Sequence, residues 1–282
     1  MGLFEGCVAS QAPFLLALTD VALYHSHPTM LKAMIQGVGE IFPDTVFAVH
    51  HDHGDEESCY RCIESGFFSS VMIDASKEDF ETNIAITSRV VKAAHEKGIS
   101  VEAELGQVGG AEDHIHVEHS NARLTDPGKA AEFIERTGVD FLACAIGTSH
   151  GAFKFNGPSK LHFDLLEDIQ KKIPDTPLVL HGASSVPEEE VRRITAAGGT
   201  LHGARGVDPD LFKTAARLGI AKINIATDSR LIWTRVHREY FQEHPESVDF
   251  RVPGKTFIKE FAKFVALKNQ HLGSAGQAGI FL

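Results

Sequence analysis

The chain has 282 residues, of which 43% are hydrophobic and 23% are charged, and this is the composition of an ordinary globular protein. Its formal net charge of −11 gives an acidic surface that repels a phosphate backbone, which argues against nucleic acid as a partner. The sequence shows neither a signal peptide nor an apolar run of about 18 residues, so no membrane partner is predicted.

The chain has four cysteines, which are Cys7, Cys59, Cys62 and Cys144. Cys59 and Cys62 form one C-x-x-C pair, which can be a redox or zinc motif. Zinc modules usually need a second pair of this kind, and the sequence has none. We therefore interpret the pair as two small residues on a helix that follows a strand, and we expect a reduced, cytoplasmic protein.

Short apolar runs alternate with longer amphipathic stretches along the chain. Met1–Ala12 has the pattern of a helix end, and seven apolar runs follow it. The runs, each predicted as a strand, are Pro13–Thr19, Thr45–His51, Val71–Asp74, Ser100–Leu105, Phe141–Gly147, Leu178–His181 and Lys222–Thr227. The clearest helices between them are Glu78–Lys97, from its helical spacing, and Pro127–Arg136, from the capping residues before it.

Strands that alternate with helices predict a parallel sheet covered on both faces. The count of seven strands is one fewer than a closed (β/α)8 barrel has. No repeat, low-complexity tract or linker interrupts the pattern. The sequence therefore predicts an α/β fold of the TIM (β/α)8 type that lacks its first strand, as a single domain over residues 1–282.

Polar side chains stand where six of the predicted strands end. In a parallel barrel all strand carboxyl ends open on one face, where catalytic groups are found. Six strands that supply polar groups to one mouth are the strongest functional signal in the sequence. These residues are Asp52, His53, Asp74, Glu104, His150 and His181, together with Asn224, which lies within the last predicted strand.

His53, His150 and His181 are candidates for one metal site. Three imidazoles with an open fourth position are a common catalytic zinc arrangement, in which the ion polarises a carbonyl and stabilises an enediolate. Any single one of the 16 histidines is more often a surface or packing residue. The inference depends on three of them standing at three separate strand ends.

Three carboxylates accompany these histidines. Asp52 directly precedes His53 and can exchange a proton with a substrate hydroxyl, and its alternative role is to cap a helix that begins near Asp55. Asp74 and Glu104 can hold a second metal position or orient the histidines. Their alternative role is that of buried carboxylates paired within the barrel.

The segment after Glu104 has glycines beside acidic residues, from Gly106 to Asp113. This composition is typical of a mobile lid that closes over a site. Glu112 within it is a candidate base, although acidic surface loops usually have no chemical role.

Glycines and hydroxyls at the later strand ends are typical of a phosphate site. Glycine lets backbone N–H groups approach an anion, and hydroxyls together with the next helix N-terminus complete the binding. The candidates are Gly151, Gly182, Ser184 and the stretch Asn224–Ser229.

Together these motifs resemble the class II fructose-bisphosphate and tagatose-bisphosphate aldolases, from about Ala12 to Gln277. The resemblance is carried by seven stretches in the same order as in that family. They are VFAVHHDHG at Val46–Gly54, VMID at Val71–Asp74, VEAELG at Val101–Gly106, AIGTSHG at Ala145–Gly151, LHGAS at Leu180–Ser184, KINIATD at Lys222–Asp228 and LGSAG at Leu272–Gly276.

The resemblance implies reversible, zinc-dependent cleavage of fructose 1,6-bisphosphate into dihydroxyacetone phosphate and glyceraldehyde 3-phosphate. It implies that Asp52 is the acid/base on the C4 hydroxyl and that Glu112 moves the proton of the dihydroxyacetone phosphate carbon. The implied ligands are His53, His150 and His181 for zinc, with Asp74 and Glu104 at an alternate metal position. The implied phosphate contacts are Thr19, Gly151, Gly182, Ser184, Asn224 and Thr227, and Arg251 is expected to reach the substrate phosphate of a neighbouring subunit.

The resemblance further implies a homodimer or homotetramer and, as in some members, a monovalent cation near the glycines. Relatives begin with a strand and a helix that carry an Ala-Phe-Asn motif, and this chain starts after them. We therefore expect two sheet edges without a partner, at a cost to stability and solubility. Thr19 stands where relatives often have a phosphate-binding serine, and it retains the hydroxyl.

Four other interpretations remain open at this point. Tagatose 1,6-bisphosphate differs from the fructose substrate only at C4, and no identifiable residue decides between them. A metal-dependent barrel hydrolase is a second, since His51-Asp52-His53 also forms an H-x-H motif at a strand end. The third is a Schiff-base aldolase that uses a strand lysine such as Lys222, and the fourth is a catalytically impaired barrel that binds sugar phosphate without turnover.

Overall fold

The structure, a computed structural model, describes residues 1–112, 115–117, 122–154 and 160–281, without the side chains of 111–112 and 115–117. The strands among these residues are β1 (Phe14–Thr19), β2 (Phe47–Gly54), β3 (Ser70–Ile73), β4 (Ser100–Leu105), β5 (Gly109–Glu112), β6 (Ile115–Val117), β7 (Phe141–Cys144), β8 (Ser149–His150), β9 (Leu178–Leu180) and β10 (Ile220–Ile223). The helices are α1 (Gly2–Ser10), α2 (Asp20–Ser26), α3 (Pro28–Ile41), α4 (Glu56–Glu64), α5 (Phe80–His95), α6 (Pro127–Thr137), α7 (Phe163–Lys172), α8 (Glu188–Ala196), α9 (Phe212–Arg217), α10 (Thr227–Glu243) and α11 (Arg251–Leu272).

The seven predicted strands form one parallel sheet in the order β1-β2-β3-β4-β7-β9-β10, which makes a half-barrel. Six of them overlap the predicted apolar runs closely, and the α/β prediction with seven strands is confirmed. Within the described residues β1 and β10 pair on one side only, so the sheet has the two open edges that were expected.

The last strand is displaced from its prediction, because it runs from Ile220 to Ile223 and not from Lys222 to Thr227. After Asn224 the chain turns, and Thr227 already begins α10. The predicted strand extended through this turn because Ile225 and Ala226 are apolar and continue the apolar run. Asp228 in the first turn of α10 interacts favourably with the helix dipole, and this acidic residue is the signal that marks the true boundary.

A second, three-stranded sheet in the order β6-β5-β8 lies beside the main one and was not predicted. In it Gly109 and Gly110 pair with Ser149 and His150, so part of the segment interpreted as a lid is a strand. A Cβ on Gly110 would lie 2.4 Å from the carbonyl oxygen of His150, and glycine is required for this close approach. Strand β5 could not be predicted from the sequence, because its partner β8 lies about forty residues away and its glycines give no strand periodicity.

The helices begin and end at residues that explain their bounds. Asp126 caps α6 by accepting a hydrogen bond from Lys129 N, as the sequence predicts, and Asp79 caps α5 by accepting from Thr82 N. The residue pair Cys59 and Cys62 lies on α4, directly after β2, and both thiols are buried and unpaired. The interpretation of this C-x-x-C as part of a helix is therefore confirmed.

Helix α1, which the sequence indicated as a helix end, packs against α11 near the amino ends of the first strands. The ring of Phe4 lies 5.1 Å from that of Phe14 and 5.0 Å from that of Phe47, so α1 closes this end of β1 and β2. None of the described helices is both long and apolar enough to cross a bilayer.

Candidate functional site

The carboxyl ends of the strands converge as predicted, and they bring three histidines together. The ring of His53 lies 4.6 Å from that of His181 and 5.3 Å from that of His150, measured between centroids. All three side chains are buried, and one nitrogen from each lies within 4.8 Å of the others. His53 adopts a left-handed backbone with φ of 51°, a strained conformation that occurs preferentially at functional sites.

Two carboxylates fix how the histidine rings are oriented. Asp74 Oδ2 lies 3.0 Å from His53 Nδ1, and Glu102 Oε1 lies 2.7 Å from His181 Nε2. A carboxylate can only accept, so each of these ring nitrogens donates its proton. The opposite nitrogens, His53 Nε2 and His181 Nδ1, then face each other at 2.9 Å.

This pair of facing nitrogens fits a cation. Two neutral rings held by carboxylates in this way present two lone pairs to each other, which is repulsive unless a proton or a metal ion lies between them. Neutral imidazoles whose second N–H is bound by a carboxylate are the usual ligands of catalytic zinc. His53, His150 and His181 would therefore hold the ion that the sequence predicts.

Burial and the neighbouring charges determine which of the two rings, His53 or His181, is protonated. Burial opposes charge on His53, but Asp52, Asp74 and Glu104 together raise its pKa to about 10. Burial and the charge of His53 lower the pKa of His181 to about 4. Without a metal ion a single proton on His53 thus supplies the positive charge between the rings.

Asp74 and Glu104 form a second group with His53 whose oxygen and nitrogen atoms lie within metal-binding distance of one another. Asp74 also accepts hydrogen bonds from the backbone and hydroxyl of Ser76. Burial and the nearby charge of Asp74 raise the pKa of Glu104 to about 8, and among the described groups Glu104 Oε2 has no hydrogen-bond partner. A buried oxygen with no partner suits a cation at this position.

Asp52 faces the histidines from the end of β2. Its two carboxylate oxygens accept hydrogen bonds from Asn224 Nδ2 at 3.1 and 3.2 Å. Although burial opposes ionisation, the charges of His53 and Lys222 hold the pKa of Asp52 well below its usual range. The alternative role as a helix cap is wrong, because Asp55 caps α4 by accepting from Ser58 N.

The phosphate candidates lie around the start of α10. Ser184 Oγ accepts hydrogen bonds from the backbone nitrogens of Ala226 and Thr227, at 3.2 and 3.1 Å. Gly182 has a φ of +61°, and a Cβ there would lie 2.7 Å from the backbone of Ser149. Gly151 also has a positive φ, of +81°. Hydroxyl, glycine and helix N-terminus therefore meet at the end of β9 and β10.

A cavity of about 1050 Å³ connects these groups. It is lined by Thr19, Asp52, His53, His181, Gly182, Ser184 and Asn224, together with apolar residues of β1, β10 and α11. Thr19 ends β1 directly opposite Asp52, and its hydroxyl lies 3.4 Å from Ala22 N at the start of α2.

The predicted residues with described side chains that are not part of this cavity lining are Asp74, Glu104, His150, Gly151, Thr227 and Arg251. Arg251 lies at the surface at the start of α11 and forms an ion pair with Asp249 at 2.8 Å. Glu112 ends β5, and its side chain lies outside the described part of the chain.

Glu102 was not among the residues predicted for the site, and Lys222 was predicted only as the lysine of the alternative Schiff-base mechanism. The structure places both beneath the histidines, with Lys222 Nζ 2.7 Å from Glu102 Oε2. Although burial opposes ionisation of Glu102, the lysine and His181 lower its pKa to about 2. The two-residue spacing of Glu102 and Glu104 was the available signal, since alternate residues of a strand point to one face.

Comparison with known proteins identifies the family of this chain. The family model described as fructose-bisphosphate aldolase class-II matches residues 1–200 and 196–277. The fructose-bisphosphate aldolase of Thermus caldophilus is 43% identical over 280 residues, which cover 98% of this chain and 90% of that protein. That of Giardia intestinalis is 42% identical over 285 residues, covering 99% and 85%.

A solved structure shows the same fold. The YdjI aldolase of Escherichia coli K12 superposes with a TM-score of 0.77 at 28% sequence identity, over 98% of this chain and 88% of that one. The family match over nearly the whole chain, together with these relatives, shows that the chain belongs to the class II fructose-bisphosphate aldolase family.

Proposed function

We propose that the chain catalyses the reversible, zinc-dependent cleavage of fructose 1,6-bisphosphate into dihydroxyacetone phosphate and glyceraldehyde 3-phosphate. The observation that carries this proposal is the buried set of His53, His150 and His181, with two rings oriented by carboxylates. When bound there, zinc supplies a Lewis acid that polarises the substrate ketone.

Asp52 is the group that removes the proton of the C4 hydroxyl. Its carboxylate is held ionised beside the histidines and oriented by Asn224, which is what a proton acceptor at this point requires. Loss of that proton breaks the C3–C4 bond, turns C4 into the aldehyde carbon of glyceraldehyde 3-phosphate, and leaves the bonding electrons on C3.

We assign the return of a proton to C3 to Glu112, on the family resemblance. Its strand β5 pairs with β8, which carries His150, so the backbone of the segment is anchored beside the site. In the synthetic direction the same residue removes this proton from dihydroxyacetone phosphate.

The two phosphate groups need separate anchors. One is the loop of Gly182 and Ser184 with the N-terminus of α10 at Thr227, near Gly151 and Asn224, where hydroxyl and backbone N–H groups converge. A monovalent cation near these glycines remains part of the proposal. Thr19, across the cavity, is the proposed contact for the second phosphate.

Arg251 is proposed to act in a homodimer or homotetramer, where it reaches the substrate phosphate of a neighbouring subunit. Its side chain is 75% exposed and lies outside the cavity of its own chain. An arginine suits this role because its planar fork binds phosphate with two parallel hydrogen bonds.

A cytoplasmic location is also part of the proposal. The four buried cysteines, which form no disulfide, support it, because disulfides are rare in the reducing cytoplasm.

The Schiff-base interpretation is not supported by the position of Lys222. Its ammonium forms an ion pair with Glu102 and donates toward His50, and a protonated amine is not a nucleophile. The hydrolase interpretation leaves the phosphate loop of Gly182 and Ser184 without a role. Tagatose 1,6-bisphosphate, with the opposite configuration at C4, remains the alternative substrate.

The deciding experiment measures triose-phosphate release from both bisphosphates by the purified chain, with and without a chelator. We expect release from fructose 1,6-bisphosphate that the chelator abolishes and added zinc restores. Activity that survives the chelator together with borohydride trapping at Lys222 would establish the Schiff-base mechanism instead. Zinc binding without release from either bisphosphate would identify an impaired sugar-phosphate-binding barrel, and hydrolysis without triose phosphate a hydrolase.

A further inference from the structure

A layer of polar residues lies one step below the histidines, toward the amino ends of the strands. It contains His50 of β2, Ser70 of β3, Glu102 of β4 and Lys222 of β10. His50 Nδ1 lies 2.8 Å from Ser70 Oγ, and Lys222 Nζ lies 3.3 Å from His50 Nε2. Barrel interiors are ordinarily filled by branched apolar side chains, so a buried polar layer requires a specific reason.

Lys222 occupies the centre of a group that would otherwise suit a metal ion. His50, Asp52 and Glu102 each direct one ligand atom to within 4.8 Å of the others. The ammonium of Lys222 lies 2.7 Å from Glu102 Oε2, 3.3 Å from His50 Nε2 and 3.9 Å from Asp52 Oδ1. A tethered ammonium is a compact point charge with three donors, which is what this group of acceptors can satisfy.

The lysine is connected to the histidine site through Glu102. One carboxylate oxygen of Glu102 accepts from Lys222, and the other accepts from His181 Nε2 at 2.7 Å. Glu102 is fully buried, and each of its carboxylate oxygens accepts one of these two hydrogen bonds. With its Nε2 proton fixed in this way, His181 has only Nδ1 left to direct at His53 and the histidine site.

We propose that Lys222 is a built-in cation that orients Glu102 and, through it, positions His181 with Nδ1 toward the metal site. The proposal rests on the proposed zinc-dependent function. Neither residue is catalytic in this scheme, since both act through His181. A purely structural ion pair is the competing explanation, but buried pairs contribute little net stability compared with apolar residues of the same size.

The first test compares zinc affinity, measured by competition with a chelating dye, in Glu102→Gln, Lys222→Met and the double variant. We expect each single change to weaken zinc binding by about 10–100-fold, as loss of a group that orients a ligand does. Because both residues act on the same ring, that of His181, the double variant is expected to bind zinc with about the affinity of the single variant that binds it less tightly. Unchanged affinity in both single variants, or effects that multiply in the double variant, would overturn the proposal.

The matched control is the exposed pair of Lys97 and Glu64, whose ammonium and carboxylate lie 3.2 Å apart on the surface. Lys97→Met and Glu64→Gln carry the same chemical changes and are expected to leave zinc affinity within about twofold, as exposed pairs contribute little. If Lys222→Met fails to fold, as judged by circular dichroism, the double variant is compared with Glu102→Gln instead, because it removes both charges of the Glu102–Lys222 pair together.

The second test needs no metal. In the metal-free protein, nitrogen-15 spectra of His181 are expected to show a proton on Nε2 and none on Nδ1. A glutamine at 102 can donate as well as accept, so Glu102→Gln is expected to yield a detectable fraction with the proton on Nδ1. A His181 tautomer that is the same in all variants would contradict the positioning role. An unsubstituted chain that binds no zinc would instead contradict the proposed function, while this spectrum still decides the role of Glu102.

Discussion

The chemistry of the site depends on a few individual side chains, and the role of Asp52 among them can be tested most directly. Replacement of Asp52 by Ala removes the acceptor for the C4 hydroxyl proton but none of the three histidines. We expect kcat for bisphosphate cleavage to fall by about 10²–10⁴ while the zinc content is retained. The measurements are steady-state kinetics and metal analysis of the same sample.

Its control is Asp55→Ala, three residues along the chain. Asp55 caps α4 by accepting from Ser58 N at 2.7 Å and lies outside the cavity. This variant is expected to lose about 1 kcal/mol of unfolding free energy and to keep its kcat. If the two variants lose activity equally, Asp52 has no special role in proton transfer.

The proton on His53 leads to a second prediction at this scale. Burial alone would lower its pKa, but Asp52 and its other acidic neighbours raise that pKa to about 10 in the metal-free protein, so at neutral pH zinc must displace this proton. Zinc binding near pH 8 is expected to release about one proton, and zinc affinity is expected to rise as pH rises toward the pKa of His53. Calorimetry in buffers of different ionisation enthalpy measures the release, and binding with no proton released would contradict the assigned state of His53.

At the scale of elements, the turn after β9 carries both a predicted metal ligand and part of the proposed phosphate loop. Gly182 follows the ligand His181 and precedes Ser184, and its backbone lies against Ser149 of β8. A side chain at this glycine would therefore move the turn away from β8, which carries His150. Metal ligands and phosphate loop are coupled through one close contact between two backbone segments.

Gly182→Ala tests this coupling. We expect weaker zinc binding and a lower kcat/KM, because a Cβ would lie 2.7 Å from Ser149 backbone atoms that cannot move aside easily. The control is Gly98→Ala, which has a similar φ of +70° but open space around its Cβ. That variant is expected to lose about 1–2 kcal/mol of stability from backbone strain alone and to keep full activity. Equal effects of the two substitutions on kcat/KM would show that strain, and not the contact, matters.

At the scale of the whole molecule, the histidine site joins distant parts of the chain. His53 and His181 are 128 residues apart in sequence and come from strands on either side of the half-barrel. An ion that binds only the folded arrangement stabilises the entire molecule by mass action. The open edges of β1 and β10 make this contribution important, since these strands have no partner on one side among the described residues.

Zinc is therefore expected to raise the melting temperature. Free zinc at about 100 times its dissociation constant contributes roughly 2.7 kcal/mol, which corresponds to a shift of several degrees. The measurement is thermal unfolding followed by circular dichroism, with and without a chelator. His181→Ala is expected to show no such shift, and Mg²⁺ is expected not to replace zinc, because it prefers oxygen ligands in an octahedron. A shift of equal size in His181→Ala would place the stabilising ion elsewhere.

The local pattern of the sequence determined much of this protein. Apolar runs that alternate with amphipathic stretches require seven parallel strands with helices between them, and the polar residues after those runs must then meet at one face. The same reasoning reached His53, His150, His181, Asp52 and Asn224, because each stands at a strand end and strand direction alone decides where such residues converge.

Only the tertiary structure decided which of these side chains contact each other and how each is oriented. It paired β5 with β8, moved the last strand to Ile220–Ile223, and left Arg251 at the surface. It also placed Lys222 and Glu102 beneath His181, although 120 residues separate the lysine from the glutamate. Contacts of this kind depend on register and curvature across the whole sheet, which no local pattern contains, and a one-residue change of register would point each of these side chains to the opposite face.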